Sequence, residues 1–422
     1  MKRSLSLFDV VCIGLNAIVG SGVFALPDDL YRQLGIWSPL AFVACALGLW
    51  PVALCYAEAA RRVDRTGGPY LYASEAFGPR VGFVVGWMCY ANALFSFAAV
   101  ASAASAYLGR LVPALGDPTL LKISAVAMIV GFAALNYFGA KPGALAIDAF
   151  TIAKFSVLFV MIVALLPHAS LPGAGAPAET TALPAISALS AAAFTALFAA
   201  QGFEVVPVPA GETQAARRNV PLAILASLGA SSLLYVIVQS SLALAYPRLG
   251  DETSTPLADA AAHIAPWLGA LVTFGGLVST LGFVSGSAFG TPRYLFAAAL
   301  DGHLPRSLAS LHTRFESPHR ATLATAAVAI VLVIPFDYRS LIGMSNVAVS
   351  VQYLATCLAV IPLRKRDGTA RAGIVSTIAP WLGAAVSLWI VTEASGEELI
   401  WAGASLIAGL ALRALTATRA AQ

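Results

Sequence analysis

Apolar runs of about the length of a membrane helix recur along the chain, and short polar stretches separate them. A helix needs about 20 apolar residues to cross the hydrocarbon core of a bilayer. The pattern therefore predicts an all-α polytopic membrane protein with twelve transmembrane helices. The predicted spans are 7–32, 38–62, 81–111, 120–138, 145–167, 186–210, 220–246, 264–299, 321–336, 340–363, 372–392 and 397–416.

The first run is interrupted at its middle, where Gly20 and Gly22 flank Ser21. A break in a membrane helix is unusual, because lipid offers the freed backbone no hydrogen-bond partners. Glycine permits such a break and lets a ligand approach the main chain closely. Small residues also occur where membrane helices pack against each other. Taken alone, the stretch is compatible with either a packing contact or a broken helix.

The sixth run has a similar interruption at Gln201, Gly202 and Glu204. The loop 168–184, rich in Pro, Ala and Gly, precedes this run and is the expected boundary between two halves of the chain. Interrupted helices at matching positions of two halves are the best sequence indication of a transporter binding site. The second interruption therefore favours a broken helix over a packing contact in the first run.

Composition and charge agree with a membrane protein. The chain is 59% hydrophobic and 11% charged, whereas about a quarter of the residues of a soluble domain are charged. The net charge of +4 gives no indication of a nucleic-acid partner. The five cysteines all lie in apolar runs without metal-ligand spacing, so we expect neither a disulfide nor a metal site.

The distribution of basic residues predicts the topology. With both termini in the cytoplasm, most of the 25 Lys and Arg residues fall in cytoplasmic segments, as the positive-inside rule requires. We expect a multi-pass protein of the inner (cytoplasmic) membrane.

Four groups of motifs, in a fixed order, are similar to those of a known family. They are Gly14–Pro27; Tyr56–Arg61 with Thr66–Gly78; Gly202–Glu204 with Ala210–Thr213 and Arg218–Pro221; and Arg293–Ala299 with Asp301–Pro305. With these motifs the chain resembles the amino acid–polyamine–organocation (APC) transporter superfamily. The resemblance implies the LeuT-like fold: two inverted five-helix repeats, about 7–167 and 186–363, with broken helices 1 and 6. Two peripheral helices, about 372–416, would follow in a single transporter domain with alternating access to a central site.

The broken helices predict a site for a bipolar ligand. The second half of helix 1 begins with unpaired N–H groups and the positive end of the helix dipole, so Ser21, Gly22 and Val23 are the expected carboxylate ligands. The resemblance implies that the ammonium group binds the carbonyls of Ile18, Phe198 and Gln201, next to Gly20 and Gly202 at the breaks. It also implies that Phe198 is an aromatic gate; the alternative is a Phe that faces lipid or the core.

Lys154 lies deep in the fifth run, where a cation is costly and is usually paired or functional. In sodium-independent relatives, a lysine on helix 5 stands where others hold sodium between helices 1, 5 and 8. The resemblance therefore implies that Lys154 bridges the helix 1 break and a polar residue of helix 8. Ser287 is the first candidate for this residue and Ser285 the second. Whether Lys154 carries a coupled proton or is a fixed charge stays open.

Three further polar residues at membrane depth have two interpretations each. Glu204 is either a proton-responsive group or a structural group that caps backbone freed by the break. Gln201 binds either a polar substrate group or freed backbone. Asn92 in helix 3 either faces the site or hydrogen-bonds between helices.

The function expected from these features is secondary active transport of amino acids, small or medium neutral L-amino acids first. Transport would be sodium-independent, either proton-coupled or by exchange, without another cofactor. The alternatives are an amino acid exporter and a carrier of cationic amino acids or polyamines. A membrane-embedded enzyme is disfavoured because the five histidines lie in loops or near helix ends without a catalytic cluster. A channel is disfavoured because charge rings are missing. The sequence does not indicate an oligomeric state.

Overall fold

A computed structural model describes residues 3, 5–138, 154–168, 183–251, 253–366 and 373–420. Residues 145–153 of the fifth predicted span and 169–182 of the predicted boundary loop lie outside the described residues. So do three of the 25 Lys and Arg residues on which the predicted topology rests, Lys2, Lys141 and Arg371. Within the described residues, every regular element is a helix, apart from one isolated β-bridge between Leu5 and Thr213.

Proline sets the start of many of the helices. It is the first residue of α3 to α7 and of α11 and α12, where a missing backbone N–H costs nothing and φ is already helical. The helices are α1 (Leu7–Ile18), α2 (Gly22–Ala25), α3 (Pro27–Leu34), α4 (Pro39–Arg62), α5 (Pro69–Phe77), α6 (Pro79–Leu111), α7 (Pro118–Tyr137), α8 (Lys154–His168), α9 (Ile186–Ala200), α10 (Ala216–Ala245), α11 (Pro256–Ile264), α12 (Pro266–Leu300), α13 (His319–Val333), α14 (Tyr338–Arg366), α15 (Ile374–Glu393) and α16 (Gly396–Ala420).

Nine helical segments in the described part of the chain are long and apolar enough to cross a membrane, and α8, α9 and α13 are shorter apolar helices. This agrees with a polytopic membrane protein. The count of twelve spans and the inverted repeat stay predictions. The first predicted span is three helices rather than one, and the sixth, 186–210, is α-helical only as far as Ala200.

The helices differ in how much of their surface packs inside the protein. In α6, 83% of an 18-residue apolar stretch is buried inside the protein, and in α12 the corresponding share is 61%. In α16 it is 11%, so this helix lies at the edge of the bundle. Both helices contact the first broken segment, because the Tyr107 hydroxyl of α6 donates to the carbonyl of Phe24 and Phe283 of α12 lies against Gly20.

Candidate functional site

The first break lies between Ile18 and Gly22. The N–H of Val19 still donates to the carbonyl of Leu15, and the N–H of Gly20 turns back to Ile18 at 2.9 Å. Helical hydrogen bonds resume when Phe24 and Ala25 donate to Ser21. The N–H groups of Ser21, Gly22 and Val23 therefore have no acceptor among the described hydrogen bonds, although all three residues are buried.

The second break lies at Gln201 and Gly202. Gln201 is extended, with a ψ of 153°, and Gly202 has a φ of 127°, a backbone conformation that favours glycine. No α-helix follows directly: the chain continues through 3₁₀ turns at Phe203–Val205 and Ala210–Glu212 before α10 begins. Pro207 and Pro209 lie in this stretch and remove backbone donors that a helix would need.

The two breaks touch each other, backbone against backbone. A Cβ on Gly202 would lie 2.6 Å from the backbone nitrogen of Ile18, and a Cβ on Gly22 would lie 2.5 Å from the Cβ and 2.7 Å from the Cα of Ala199. Both contacts therefore require glycine. They bring the carbonyl end of α9 next to the carbonyl end of α1.

Lys154 contacts the first break directly. Its ammonium donates to the carbonyl of Val19 at 2.7 Å and to that of Asn16 at 3.0 Å, and the residue is 4% exposed. These carbonyls are at the negative end of the α1 dipole. No ion pair in the described part of the chain includes Lys154. The positive charge is therefore stabilised by backbone carbonyls.

Among the hydrogen bonds of the described residues, Lys154 has neither Ser287 nor Ser285 as a partner, so the predicted bridge to helix 8 is not seen there. The ammonium donates to the two α1 carbonyls instead. On α12 the side chain that lies against the break is Phe283, whose ring would be 3.3 Å from a Cβ on Gly20.

Tyr235, on α10, joins the two breaks and was not predicted. Its hydroxyl lies 2.8 Å from the carbonyl oxygen of Ile18 and 3.0 Å from that of Ala199. A hydroxyl has one proton, so the two carbonyls share one donor. The Ile18 carbonyl, predicted to receive a ligand ammonium, is used here by Tyr235 and by the N–H of Gly20. A hydroxyl within an apolar run was the sequence signal that could have found this residue.

Two aromatic residues lie beside the first break. The ring of Phe198 packs edge-on against Tyr338 with centroids 6.0 Å apart, and the Tyr338 hydroxyl lies 3.3 Å from the hydroxyl of Ser21. Phe198 is 7% exposed. Phe198 therefore contacts Tyr338, and Tyr338 contacts the break. The sequence pattern did not point to Tyr338.

Gln201 belongs to a buried polar network that joins α6, α9 and α14. Its side-chain oxygen accepts from Asn92 at 3.0 Å and from the Ser345 hydroxyl at 3.3 Å. Its nitrogen donates to Asn346 at 2.5 Å, and Asn346 donates to the carbonyl of Phe194 at 2.7 Å. The side chain of Gln201 therefore bonds other side chains rather than freed backbone, and Asn92 makes interhelical hydrogen bonds.

Glu204 caps the second break. Its carboxylate accepts from the N–H of Gly202 at 2.8 Å and from the Tyr353 hydroxyl at 3.2 Å. Tyr353 in turn stacks on Phe203 with centroids 5.4 Å apart, and Tyr56 packs edge-on against both rings. This is the capping geometry expected of a structural role, and the three aromatic rings form a fully buried layer beneath the breaks.

A cluster of ion pairs surrounds Glu58, two residues after Tyr56 on α4. Glu58 accepts from Arg364 with both oxygens, and also from Arg62 and Ser376. These contacts join α4, α14 and α15.

A second set of ion pairs holds the N-terminal segment. Asp64 pairs with Arg3 at 3.1 Å and with Arg217 at 3.5 Å. Leu5 forms a single parallel bridge with Thr213. The segment before α1 is thus attached to the chain that follows the second break.

The arrangement suits an amino acid better than a metal ion. The N–H groups of Ser21, Gly22 and Val23, which have no acceptor among the described hydrogen bonds, are suited to an anion, and the carbonyl ends of α1 and α9 beside them are suited to a cation. Among the described residues, no group of three His, Cys, Asp or Glu side chains could hold a metal ion.

Comparisons with known proteins agree with this chemistry. The family model for amino acid permeases matches residues 5–394. An uncharacterised transporter of Mycobacterium tuberculosis is 28% identical over 100% of this chain and 94% of its own length.

Two relatives have names that state a substrate. A branched-chain amino acid permease of Bacillus subtilis is 25% identical over 87% of this chain and 82% of its own length. Human cationic amino acid transporter 4 is 28% identical over 86% of this chain but 60% of its own length. These names belong to transporters rather than to enzymes. With a family model matched over most of its length, the chain belongs to the amino acid permease family of the APC superfamily.

Proposed function

We propose that the protein is a sodium-independent secondary transporter of small or medium neutral L-amino acids. It works by alternating access around the two breaks. The observation that carries the proposal is the position of Lys154, whose ammonium donates to the carbonyls of Val19 and Asn16. A cation held there stabilises the end of α1 without a bound metal ion, so sodium is not required.

The ligand binds with its carboxylate at the N–H groups of Ser21, Gly22 and Val23. Its ammonium binds the carbonyl side formed by Ile18, Phe198 and Gln201. For the Ile18 carbonyl to accept a hydrogen bond from the ligand ammonium, one of two changes is needed. Either the Tyr235 hydroxyl donates to the Ala199 carbonyl alone, or the Ile18 oxygen accepts from both Tyr235 and the ligand. Phe198 and Tyr338 close over the ligand, and the layer of Tyr56, Phe203 and Tyr353 closes the opposite side.

A neutral substrate fits the charges near the breaks. Glu204 is the buried carboxylate next to the second break, and it is already used by Gly202 and Tyr353. Among the described residues around the breaks, every carboxylate is already hydrogen-bonded, so none is left to pair with a cationic side chain. The relative named as a cationic amino acid transporter nevertheless makes arginine the second candidate substrate.

The protein lies in the inner membrane with both termini in the cytoplasm, which is the side of the Glu58 and Asp64 ion pairs in this topology. Lys154 either holds a fixed charge in an exchanger or releases a proton that couples transport. Import and export differ only in the direction of the gradients.

Transport by the purified protein in liposomes tests the proposal. We expect uptake of neutral amino acids, measured for each of the twenty and for putrescine, to be the same in sodium and in choline buffer. Empty liposomes give the background. A strict sodium requirement would contradict the role of Lys154, and preferred uptake of arginine or putrescine would contradict the neutral substrate class. Preloading with unlabelled substrate, against an imposed proton gradient, separates exchange from proton coupling.

A further inference from the structure

A line of close contacts joins α16, at the edge of the bundle, to α6. The indole N–H of Trp87 donates to the carbonyl of Ser405 at 2.7 Å, and a Cβ on Gly409 would lie 2.4 Å from the Trp87 ring. One helical turn closer to the start of α6, the guanidinium of Arg413 lies over the ring of Phe83, 5.1 Å from its centroid. This line, the α6–α16 contact, therefore runs towards the end of the bundle at which α6 begins and α16 ends.

The α6–α16 contact ends in positive charge. Arg80 is exposed and precedes Phe83 by three residues, and residues three apart share one face of a helix. Arg80 therefore lies one turn from the ring that Arg413 covers. No ion pair in the described part of the chain includes either arginine. Both guanidinium groups are thus available to an anion.

The other ionisable groups beside Phe83 do not neutralise these charges. The ring of His303 lies 5.3 Å from that of Phe83. Burial and, after it, the charge of Arg413 lower the pKa of His303 from its ordinary value of 6.5, while the Asp301 carboxylate opposes them. Asp301 is exposed and accepts from the Tyr70 hydroxyl at 2.6 Å, and no described ion pair includes it.

Apolar surface adjoins the two arginines on both helices. Val81, next to Arg80, and Leu412, next to Arg413, are each 38% exposed. Only 11% of an 18-residue apolar stretch of α16 is buried, so most of this surface is left to lipid. A soluble anion would contact the guanidinium groups alone. A phospholipid would contact them with its phosphate and cover the apolar surface with its acyl chains, and the charge and the apolar surface together therefore favour a lipid.

We propose that the end of the α6–α16 contact binds the headgroup of an anionic phospholipid. The phosphate lies between Arg80 and Arg413, whose N–H donors suit phosphate oxygens, and the acyl chains lie along Val81 and Leu412. Basic residues at a membrane surface attract anionic lipids. The bound lipid bridges α6 and α16 and so stabilises the attachment of the last helix. In the predicted topology it belongs to the cytoplasmic leaflet, and its binding does not depend on which amino acid is transported.

Native mass spectrometry of the delipidated full-length protein tests the proposal. The probes are phosphatidylglycerol, phosphatidylcholine with the same acyl chains, and inorganic phosphate. We expect the first phosphatidylglycerol to bind at least about tenfold more tightly than phosphatidylcholine, because the site has net positive charge. Inorganic phosphate at millimolar concentration should not displace it, since phosphate lacks the acyl chains.

The double variant R80Q/R413Q removes both charges and should lower the affinity for phosphatidylglycerol at least about tenfold, with little effect on phosphatidylcholine. R61Q/R314Q is the matched control and should bind like the wild type. Arg61 and Arg314 are exposed at the same end of the bundle, neither is in a described ion pair, and Arg314 also lies over a phenylalanine ring.

Thermal unfolding separates lipid binding from a folding defect. Without added lipid, both double variants should unfold close to the wild-type temperature, because neither loses an ion pair. Phosphatidylglycerol should raise the unfolding temperature of the wild type and of R61Q/R314Q by several degrees, and that of R80Q/R413Q much less. If R80Q/R413Q did not fold, Arg80→Gln alone, at an exposed side chain, should still lower the affinity several-fold.

Four results would overturn the lipid site. They are equal affinity for phosphatidylglycerol and phosphatidylcholine, displacement of the lipid by inorganic phosphate, undiminished binding in the variants that lack Arg80, and an equal loss of affinity in R61Q/R314Q. The last result would mean that the total charge of this end, rather than the α6–α16 contact, attracts the lipid.

Discussion

The ammonium of Lys154 lies 2.7 Å from the carbonyl oxygen of Val19, at the end of the first half of helix 1. A buried cation normally has a carboxylate partner, because its removal from water is costly. Here the carbonyls of Val19 and Asn16 take that place. The charge therefore holds the end of α1 where the break begins, and any movement of α1 has to preserve or replace these two hydrogen bonds.

Lys154→Met should leave a folded protein that transports at least about tenfold more slowly. The substitution keeps the apolar stem but leaves the two carbonyls without their donor, and an unsatisfied buried polar group costs about 1–3 kcal/mol. The measurement is the initial rate of amino acid uptake in liposomes, at several pH values.

Lys122→Met is the matched control for the lysine. Lys122 also donates to a backbone carbonyl, that of Ile334, but from an exposed position on α7. Its replacement should leave the transport rate within about twofold, because an exposed carbonyl regains water. An unchanged rate and pH profile in Lys154→Met would contradict the role given to the cation.

Gly202→Ala should abolish transport and lower the free energy of unfolding. The φ of 127° costs a residue with a side chain about 1–3 kcal/mol, and the new Cβ would lie 2.6 Å from backbone atoms of Ala17 and Ile18. The two breaks would have to move apart. Uptake in liposomes and thermal unfolding in detergent measure the two effects.

Gly290→Ala, on α12, controls for the loss of a glycine as such. A Cβ there would have no neighbour within 4 Å, and alanine favours a helix by about 0.5–1 kcal/mol over glycine. We expect equal or higher stability and normal transport. If Gly202→Ala behaved like Gly290→Ala, the close contact between the breaks would not be needed for function.

The sequence predicted the helical architecture and both breaks, because each rests on local patterns. Apolar runs of membrane length and glycines within them are visible without knowledge of the fold. The bounds of the breaks were less predictable: the stretch after Gly202 was expected to be helical, but it consists of 3₁₀ turns. Pro207 and Pro209 each remove a backbone donor, but their effect on the whole stretch depends on its packing.

The partners of the site residues could not be predicted from local patterns. Tyr235 is 36 residues or more from the carbonyls that it contacts, and only the packing of α10 against both breaks brings them together. The contact of Lys154 with helix 1 was expected from the resemblance, whereas its contact with Ser287 was expected and is not formed. Which side chain of α12 faces the break depends on the rotation of that helix, and Phe283 occupies the position.

The attachment of the N-terminal segment should persist in mildly acidic solution. Burial tends to raise the pKa of Asp64, but the hydrogen bond from Arg3 and the charge of Arg217 outweigh it and lower the pKa from its ordinary value of 3.8. A carboxylate with a lowered pKa stabilises the folded state above its ordinary pKa, and this is lost as the pH falls through the lowered value. Hydrogen exchange at the Leu5 amide, which donates to the carbonyl of Glu212, measures the attachment.

We expect the Leu5 amide to stay protected at pH 5 in the wild type and to exchange faster in Asp64→Asn at every pH. The gain in exchange rate should be modest, since partly exposed ion pairs contribute about 0–1 kcal/mol. Asp117→Asn is the control, because Asp117 caps α7 far from the N-terminal segment. Loss of protection between pH 6 and pH 5 in the wild type would contradict the lowered pKa.

Arg364→Met should destabilise the protein much more than Arg366→Met, although both arginines end α14 and both pair with a glutamate. Arg364 has a side chain that is 12% exposed and bonds both oxygens of Glu58 as well as Ser376. Arg366 is 59% exposed where it pairs with Glu75. Hydrogen bonds to a charged group contribute about 1.5–3 kcal/mol, whereas an exposed ion pair contributes about 0–1 kcal/mol. Thermal unfolding of both variants in one detergent makes the comparison, and equal losses would show that burial does not set the strength of these pairs.

If the Glu58 ion pairs also hold their end of the bundle closed, a cysteine placed beside Tyr56 should be labelled faster in Arg364→Met than in the wild type. In Arg366→Met it should be labelled at the wild-type rate.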